Sequence, residues 1–342
     1  MHNSPKHICS NIFHVIIGKA IGNLNFLLIV ISIAFNAEIK CQTKTSYNNF
    51  FIDKYSVIPA LAGFDNEFKI SSAYRKDWAG FQRAPTLLNF HANAPINFKT
   101  SWGFDIVNEK AGIFQSTVFS GSYAFNFRPR YNQRISMGLT LSLLREGITT
   151  SDAKMETYNN TIANNGNSSI YGFTPNFSIV YQINNFQSGL VVTNLFYNKL
   201  NSGASEINLS RRYQFHADYK YIIHEGLFFE PSLFLVNQYN NWLYNFCATS
   251  SINNNFWMGL SYSSESLLGV MFGCKLNKVL KANYSFNANA SPVYQYSYGS
   301  HEITLVYAIG YTSKLRRIKQ NLHERLINAG VPSKNLNTKN LE

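Results

Sequence analysis

Histidine and cysteine are the residues of this chain best suited to chemistry, because imidazole transfers protons near neutral pH and both side chains bind metals. The eight histidines are scattered along the sequence. His216 and His224 are an even number of residues apart, which predicts that they share one face of a strand. No cluster of cysteines or carboxylates accompanies them, and His91 could meet a serine only through folding. We therefore predict no metal site.

The sequence lacks the short motifs that commonly carry catalysis. It contains no G-x-S-x-G, no H-E-x-x-H and no glycine-rich phosphate loop. Cys247 and Cys274 show no metal-ligand spacing, and both fall in stretches of alternating apolar residues. That context favours small hydrophobic side chains on strands, with a disulfide as the alternative. The sequence thus predicts a protein that is not an enzyme and has no cofactor.

The composition indicates a sheet with one apolar and one polar face. Charged residues make up 14% of the 342 residues and aromatic residues 15%, while the mean hydropathy is −0.15. The net charge of +12 is also spread out: residues 1–41 carry +2 and residues 312–342 carry +5, which leaves +5 for the body. A nucleic-acid groove would concentrate positive charge, so we predict no nucleic-acid partner.

From about residue 68 onward, apolar residues recur at every second position, which is typical of strands with two different faces. One clear row places Leu139, Leu141 and Leu143 between Gly138, Thr140 and Ser142. Fourteen such strands can be counted, and most are near the length of a tilted transmembrane strand. Their starts are expected near residues 68, 86, 102, 114, 135, 173, 187, 213, 227, 242, 256, 267, 280 and 303.

Alternation also occurs in soluble sandwiches, so other features must decide between the two folds. The polar face is poor in charge and rich in Ser, Asn, Thr and Gly, and short turns alternate with longer polar loops. The longest polar loop is predicted at 146–169. These features favour an all-β fold, a transmembrane antiparallel β-barrel of about fourteen strands over residues 42–311.

The two ends of the chain differ from the barrel region. Residues 1–41 contain basic residues, an apolar run and small residues, which predicts a signal peptide, with a retained membrane anchor as the alternative. Lys40 precedes Cys41, and that large residue speaks against lipid attachment. Residues 312–342 form a basic tail. A docking helix and a solvated end are equally compatible with this tail.

Several short motifs follow one another between residues 47 and 112. The motif residues are Pro59, Ala60, Gly63, Tyr74, Arg75, Trp78, Gly80, Ala84, Pro85, Ala94, Pro95, Asn108, Glu109 and Gly112. In this order and spacing they resemble the PorP/SprF family of outer-membrane proteins of the type IX secretion system of Bacteroidetes. Ile58, Asp77 and Glu109 stand where the family usually has Asn, Gln and Asp.

The resemblance implies a barrel in the cell outer membrane that contacts the lipid bilayer and other secretion components in the periplasm and outer membrane. It also implies secreted cargo proteins, such as adhesins with C-terminal signals, as partners. A general porin for small solutes is the alternative function. A porin would need a charged constriction, and the low charge of the strands argues against one.

The motif residues also have physical interpretations of their own. Pro59 and Gly63 suit a rigid turn before the first strand. Arg75 lies near the aromatic rings of Tyr74 and Trp78, where it could stack or bind a carboxylate. We expect the motif residues to shape and fill one end of the barrel, with direct partner contact as the alternative.

Overall fold

A computed structural model of the chain describes residues 50–148, 168–196, 198–202, 205–264, 267–289 and 297–310. The predicted signal peptide at 1–41 and the basic tail at 312–342 lie outside these ranges. None of the described residues belongs to a helix long and apolar enough to cross a membrane.

The described chain is almost entirely strand, preceded by two short 3-10 turns at Lys54–Ser56 and Pro59–Leu61. The strands are β1 (Glu67–Lys76), β2 (Thr86–Pro95), β3 (Thr100–Ala111), β4 (Phe114–Arg130), β5 (Gln133–Ile148), β6 (Ser168–Ile183), β7 (Phe186–Thr193), β8 (Asn198–Ser202), β9 (Ser205–Leu209), β10 (Arg212–Tyr219), β11 (Tyr221–His224), β12 (Leu227–Gln238), β13 (Asn241–Ile252), β14 (Phe256–Ser263), β15 (Leu267–Lys275), β16 (Leu280–Asn289) and β17 (Ser300–Gly310).

These strands close into a barrel by antiparallel pairing of sequence neighbours. β1 pairs with β17, and β10 pairs with both β7 and β12, so the ring has no free edge. β10 and β11 are two parts of one wall position, separated at Lys220. The described residues therefore form a closed barrel of fourteen strand positions, which confirms the predicted fold class.

The two faces of the wall are the reverse of those in a soluble protein. On β5, Leu139 is 60% exposed and Leu141 is 55% exposed, whereas Ser136 and Thr140 between the apolar positions are buried. Because successive side chains on a strand point to opposite faces, the apolar row faces outward and the polar row faces the lumen. An apolar exterior is what a bilayer requires of a barrel.

The structure differs from the sequence-based expectation in its connections. The predicted loop at 146–169 is shorter, because Glu146, Gly147 and Ile148 pair with residues 168–170 of β6; residues 149–167 lie outside the described ranges. The hairpin of β8 and β9 was not anticipated. Short strands with few apolar positions give no clear alternation.

The connections distinguish the two ends of the barrel. At the end where β1 begins and β17 ends, the connections contain two to four residues each. We call this end the turn end. The opposite end, which we call the loop end, carries longer connections such as residues 77–85 and the segment that holds β8 and β9.

Candidate functional site

The chain crosses the interior of the barrel before it forms the wall. Residues 50–64, which we name the luminal segment, precede β1 and contain both 3-10 turns. The Asp53 carboxylate accepts a hydrogen bond from a backbone amide of the first turn at 3.3 Å. Pro59 begins the second turn, where its fixed φ suits a first helical position. The segment therefore has a defined local structure.

Apolar side chains of the luminal segment pack against apolar patches on the inner wall. The Phe50 ring is fully buried and stacks on Phe234 with 5.2 Å between ring centroids. Burial of side chains this large stabilises the packed state by roughly 1.5–3 kcal/mol each. The wall residues in these patches are Val180, Val191, Phe234, Val236, Cys247 and Met271.

Ion pairs join two consecutive residues of the luminal segment to opposite walls. His91 on β2 contacts the Asp53 carboxylate through Nε2 at 2.9 Å. The Lys54 Nζ lies 2.8 Å from Asp218 on β10 and 2.9 Å from Glu230 on β12. Around the ring, β2 is six strand positions from β10 in one direction and eight in the other. Asp53 and Lys54, which we call the crossbar, thus connect opposite walls across the lumen.

The charges of this crossbar are stabilised by their partners. Burial alone would raise the pKa of Asp53, but the neighbouring His91 holds the pKa of this carboxyl below its ordinary value. Burial likewise opposes a charged Lys54, yet Glu230 and Asp218 raise the pKa of its amine above the usual range. Both residues are therefore charged at neutral pH. Removal of His91, or of Asp218 and Glu230 together, would leave a buried charge uncompensated.

Further hydrogen bonds fix the remainder of the luminal segment to the wall. The Tyr55 hydroxyl lies 3.2 Å from the Ser122 hydroxyl of β4, and the Gly63 amide donates to Asn93 Oδ1 of β2 at 3.0 Å. On β5, the Ser136 hydroxyl donates to the carbonyl of Ala60. Arg134 donates to the carbonyl of Phe64 and lies over its ring, with 3.7 Å between Cζ and the ring centroid.

Small residues allow this close approach. A Cβ on Gly138 of β5 would lie 2.8 Å from the Cα of Ala60, so only glycine accommodates the segment there. Gly63 has φ +57°, and a Cβ at this position would lie 2.6 Å from the Pro95 nitrogen. The luminal segment therefore approaches the wall so closely that neither Gly138 nor Gly63 has room for a Cβ.

The motif residues of the sequence separate into two groups. Pro59, Ala60 and Gly63 lie in the luminal segment, and Ala94 and Pro95 at the end of β2 contact it. The other group lies at the loop end, where residues 77–81 run beside residues 298–299. Its members are Tyr74, Arg75, Trp78, Gly80, Ala84, Pro85, Asn108, Glu109 and Gly112.

A buried cation organises the loop-end group. Arg75 is 3% exposed, and its guanidinium lies 2.8 Å from Asp77 and 3.7 Å from Glu302 of β17. Arg75 therefore has carboxylate partners, which was one of its two predicted interactions; the other was stacking on an aromatic ring. Tyr74 and Trp78 instead have exposed side chains, and Trp78 has a left-handed backbone with φ +46°.

Backbone contacts complete the loop-end group. The Ala79 amide donates to the Gly299 carbonyl at 2.8 Å, and Gly80 lies against the ring of Tyr298. The Asp77 amide donates to the Pro85 carbonyl at 2.9 Å, while Ala84 is buried. Asn108 and Glu109 belong to β3, and Gly112, with φ +62°, lies in the turn that follows it.

The sequence did not reveal the charged residues of the lumen. Asp53, Lys54, His91, Asp218 and Glu230 are distant in the chain and meet only through barrel closure. The expectation of a lumen poor in charge was therefore wrong at this level of the barrel. Apolar residues on the otherwise polar face, such as Val180 and Val191, were the available signal, because they indicate an apolar partner inside.

The remaining candidates for chemistry are not assembled. His216 is buried in the lumen beside the Phe50 ring, whereas His224 is exposed beyond the break at Lys220. Cys247 faces the lumen, and Cys274 lies on the alternate face of β15. Within the described ranges, no three His, Cys, Asp or Glu side chains are arranged to hold a metal ion.

A model of the type IX secretion system membrane protein PorP/SprF matches residues 39–307. The chain belongs to the PorP/SprF family. Family membership implies interaction with other type IX secretion components. It also agrees with the outer-membrane location predicted above, and the family is one of secretion-system membrane proteins rather than a known enzyme family. No match was found among curated proteins.

Solved outer-membrane proteins are similar to this PorP/SprF barrel. Omp33 of Acinetobacter baumannii has 7% identity and a TM-score of 0.45, over 72% of this chain and 100% of its own. The toluene transporter TodX of Pseudomonas putida has 9% identity and a TM-score of 0.44, over 78% and 95%. The toluene transporter TbuX of Ralstonia pickettii has 10% identity and a TM-score of 0.41, over 74% and 92%. At these values the similarity carries no argument about function.

Proposed function

We propose that this PorP/SprF barrel acts in type IX secretion through protein–protein contact with other components of the machinery. A second proposed contact is with the C-terminal signals of secreted cargo proteins such as adhesins. The protein itself performs no reaction and needs no cofactor in this proposal. In it, residues 1–41 are a cleaved signal peptide and the loop-end group of motif residues supports a surface for partners.

The luminal segment is the observation that carries this proposal. A channel for small solutes needs a continuous aqueous path, but residues 50–64 occupy the lumen with apolar contacts and ion pairs to both walls. Removing the segment would expose Phe50 and Ile58 and break the Lys54 and Asp53 pairs, which makes spontaneous opening unfavourable. A barrel whose lumen is crossed by such a segment is better suited to work through its surfaces.

The orientation of the barrel belongs to the same proposal. Outer-membrane barrels carry short turns on the periplasmic side and longer loops outside. By that rule, the turn end of this barrel faces the periplasm and the loop end faces the exterior. Periplasmic components would then meet the turn end, and cargo at the cell surface would meet the loop end.

A comparison of surface and culture-medium proteins tests the proposed role. Cells without the gene should lose one or a few exported proteins that share a C-terminal signal, and the complemented strain should regain them. An unchanged set of exported proteins, together with altered uptake of a small solute, would contradict the secretion role. Large and steady ion conductance of the purified chain in a planar bilayer would support a porin instead.

A further inference from the structure

The turn end of the barrel carries an excess of positive charge. Within the described ranges, the turns at this end and the three strand residues beside each turn contain eight cations and three carboxylates. The cations are Lys69, Lys99, Arg128, Arg130, Arg134, Lys275, Lys278 and Lys281, and the carboxylates are Asp65, Glu67 and Glu225.

Some of these cations already have partners inside the barrel. Lys69 forms ion pairs with Asp65 and Glu67, and Arg134 bonds to the luminal segment. The contacts of these two cations hold the beginning of β1 and the end of the luminal segment. They are therefore part of the fold and are not available to a ligand.

The β15–β16 hairpin presents cations of a different kind. Lys275 and Lys281 are direct cross-strand partners, and Lys278 lies exposed in the turn between them. In the part of the chain that the structure describes, no carboxylate forms an ion pair with any of the three. Like charges placed opposite one another destabilise a sheet. This arrangement favours binding of a negative group from outside.

The direction of these side chains limits what the negative group can be. Lys275 follows Met271 and Gly273 on the lumen face of β15, and Lys281 precedes Asn283 and Ser285 on the lumen face of β16. Lys275 and Lys281 thus point into the mouth of the barrel, away from the lipid headgroups that surround the outer face. A phosphate of the bilayer is therefore a poor ligand for them.

The spread of the cations favours a polypeptide over a small anion. Arg128 and Arg130 are exposed on the β4–β5 hairpin, which is separated from the β15–β16 hairpin by several wall strands. One small anion cannot contact both groups, whereas an extended segment with several carboxylates can. Residues 43–49 and 312–342 are not such a segment, because the first range contains no carboxylate and the second carries seven cations against two carboxylates.

We propose that the turn-end mouth of the barrel, centred on Lys275, Lys278 and Lys281, binds a carboxylate-rich segment of a partner protein. This inference rests on the proposed function, since it supplies the chemistry by which a secretion component would be recognised. Charge complementarity of this type controls the association rate and weakens as salt is added.

Binding of defined peptides to the purified full-length chain in detergent micelles tests the inference. The probe is a fluorescent decapeptide of alternating Asp and Ser, and the matched peptide carries Asn in place of Asp. Fluorescence anisotropy should show that the Asp peptide binds and that the Asn peptide does not. The double variant Lys275→Gln, Lys281→Gln should bind the Asp peptide roughly tenfold more weakly, as expected when two charge pairs with the peptide are lost.

Two further variants separate charge from folding. The variant Lys275→Arg, Lys281→Arg keeps both charges and should retain binding. The variant Lys76→Gln, Lys110→Gln removes two exposed loop-end cations and should also retain it. The inference would be overturned if the Asn peptide bound as tightly as the Asp peptide, or if the variant Lys275→Gln, Lys281→Gln bound the Asp peptide as tightly as the unmodified chain. It would also be overturned if inorganic phosphate competed as well as the unlabelled Asp peptide.

The outcome can be distinguished from failure of the proposed function. If cells without the gene lose exported proteins but the purified chain ignores the Asp peptide, only the acidic-partner inference fails. If the peptide binds as described but the exported proteins are unchanged, the proposed function fails.

Discussion

Two glycines on neighbouring strands show how differently the two faces of the wall are used. Gly138 of β5 faces the lumen and touches the backbone of Ala60, whereas Gly121 of β4 faces outward, where a Cβ would meet no atom within 4 Å. The same residue type therefore serves close packing at one position and leaves open space at the other. This difference permits a matched experiment.

The variant Gly138→Ala should loosen the luminal segment, because the added methyl group would overlap Ala60 and Ser178. We expect a loss of about 1–3 kcal/mol in the free energy of unfolding, as is usual for overpacking. The control Gly121→Ala should change it by less than about 0.5 kcal/mol. Urea unfolding in phospholipid vesicles measures the stability, and trypsin cleavage after Lys54 reports access to the segment. Equal behaviour of the two variants would contradict the tight contact.

Acid should release the luminal segment at the Asp53 end. Since the pKa of Asp53 is held below its ordinary 3.8 in the folded chain, the stabilisation is complete above that value. It is lost as the pH falls below 3.8 and through the folded pKa. Hydrogen exchange of the segment amides, corrected for intrinsic rates, should therefore rise in this range. In the variant Asp53→Asn, the rise in amide exchange over this pH range should be smaller. An identical rise in both proteins would show that other carboxyl groups control the exchange.

At the scale of elements, the alternation of side chains determines how each strand meets lipid and lumen. On β5 the outward row of leucines must contact the bilayer, so a charge in the middle of that row should be costly. The variant Leu141→Lys should lose about 2–4 kcal/mol of the free energy of unfolding. The variant Phe127→Lys, on β4 near the turn end, should lose about 0–1 kcal/mol. Unfolding midpoints in vesicles measure both. A larger loss for Phe127→Lys would contradict the assigned depth of the strands.

The same alternation is why the strands could be predicted from sequence. Each of the fourteen expected starts lies within five residues of an observed strand, because period-two patterning is a local property. The luminal segment could not be predicted, since its contacts join Lys54 to residues more than 160 positions away. Met271 and Phe234 on the polar face were a detectable sign of an apolar partner, but not of its identity.

The motif residues were found as a set, yet their division into two groups was not foreseeable. Gly63 and Pro95 meet inside the barrel, whereas Gly80 meets Tyr298 at the loop end. Sequence order places all of them within sixty residues, but β1 and β2 each run the length of the wall and carry neighbouring motifs to opposite ends. Only the register of the closed sheet separates them.

At the scale of the whole molecule, the barrel is a membrane-embedded wall crossed inside by residues 50–64, and its two ends differ. Asp53 and Lys54 connect opposite walls, and the loop end is organised around Arg75. The turn end carries Lys275, Lys278 and Lys281, which form no ion pair with the carboxylates of the described residues. Each end thus offers a distinct surface while the lumen is occupied. This organisation is suited to holding proteins together across the outer membrane.

The measurement that tests this account most directly is secretion by cells whose luminal segment is locked in place. Ala62 and Ala124 belong to one buried cluster between the segment and β4, so the variant Ala62→Cys, Ala124→Cys offers a site for an oxidative cross-link. Single-cysteine variants serve as controls, and a non-reducing gel reports cross-linking. If the chain works through its surfaces, the locked form will restore export of the missing proteins as fully as the reduced form. Loss of export on oxidation, with recovery on reduction, would show that the segment must leave the lumen and would contradict the account.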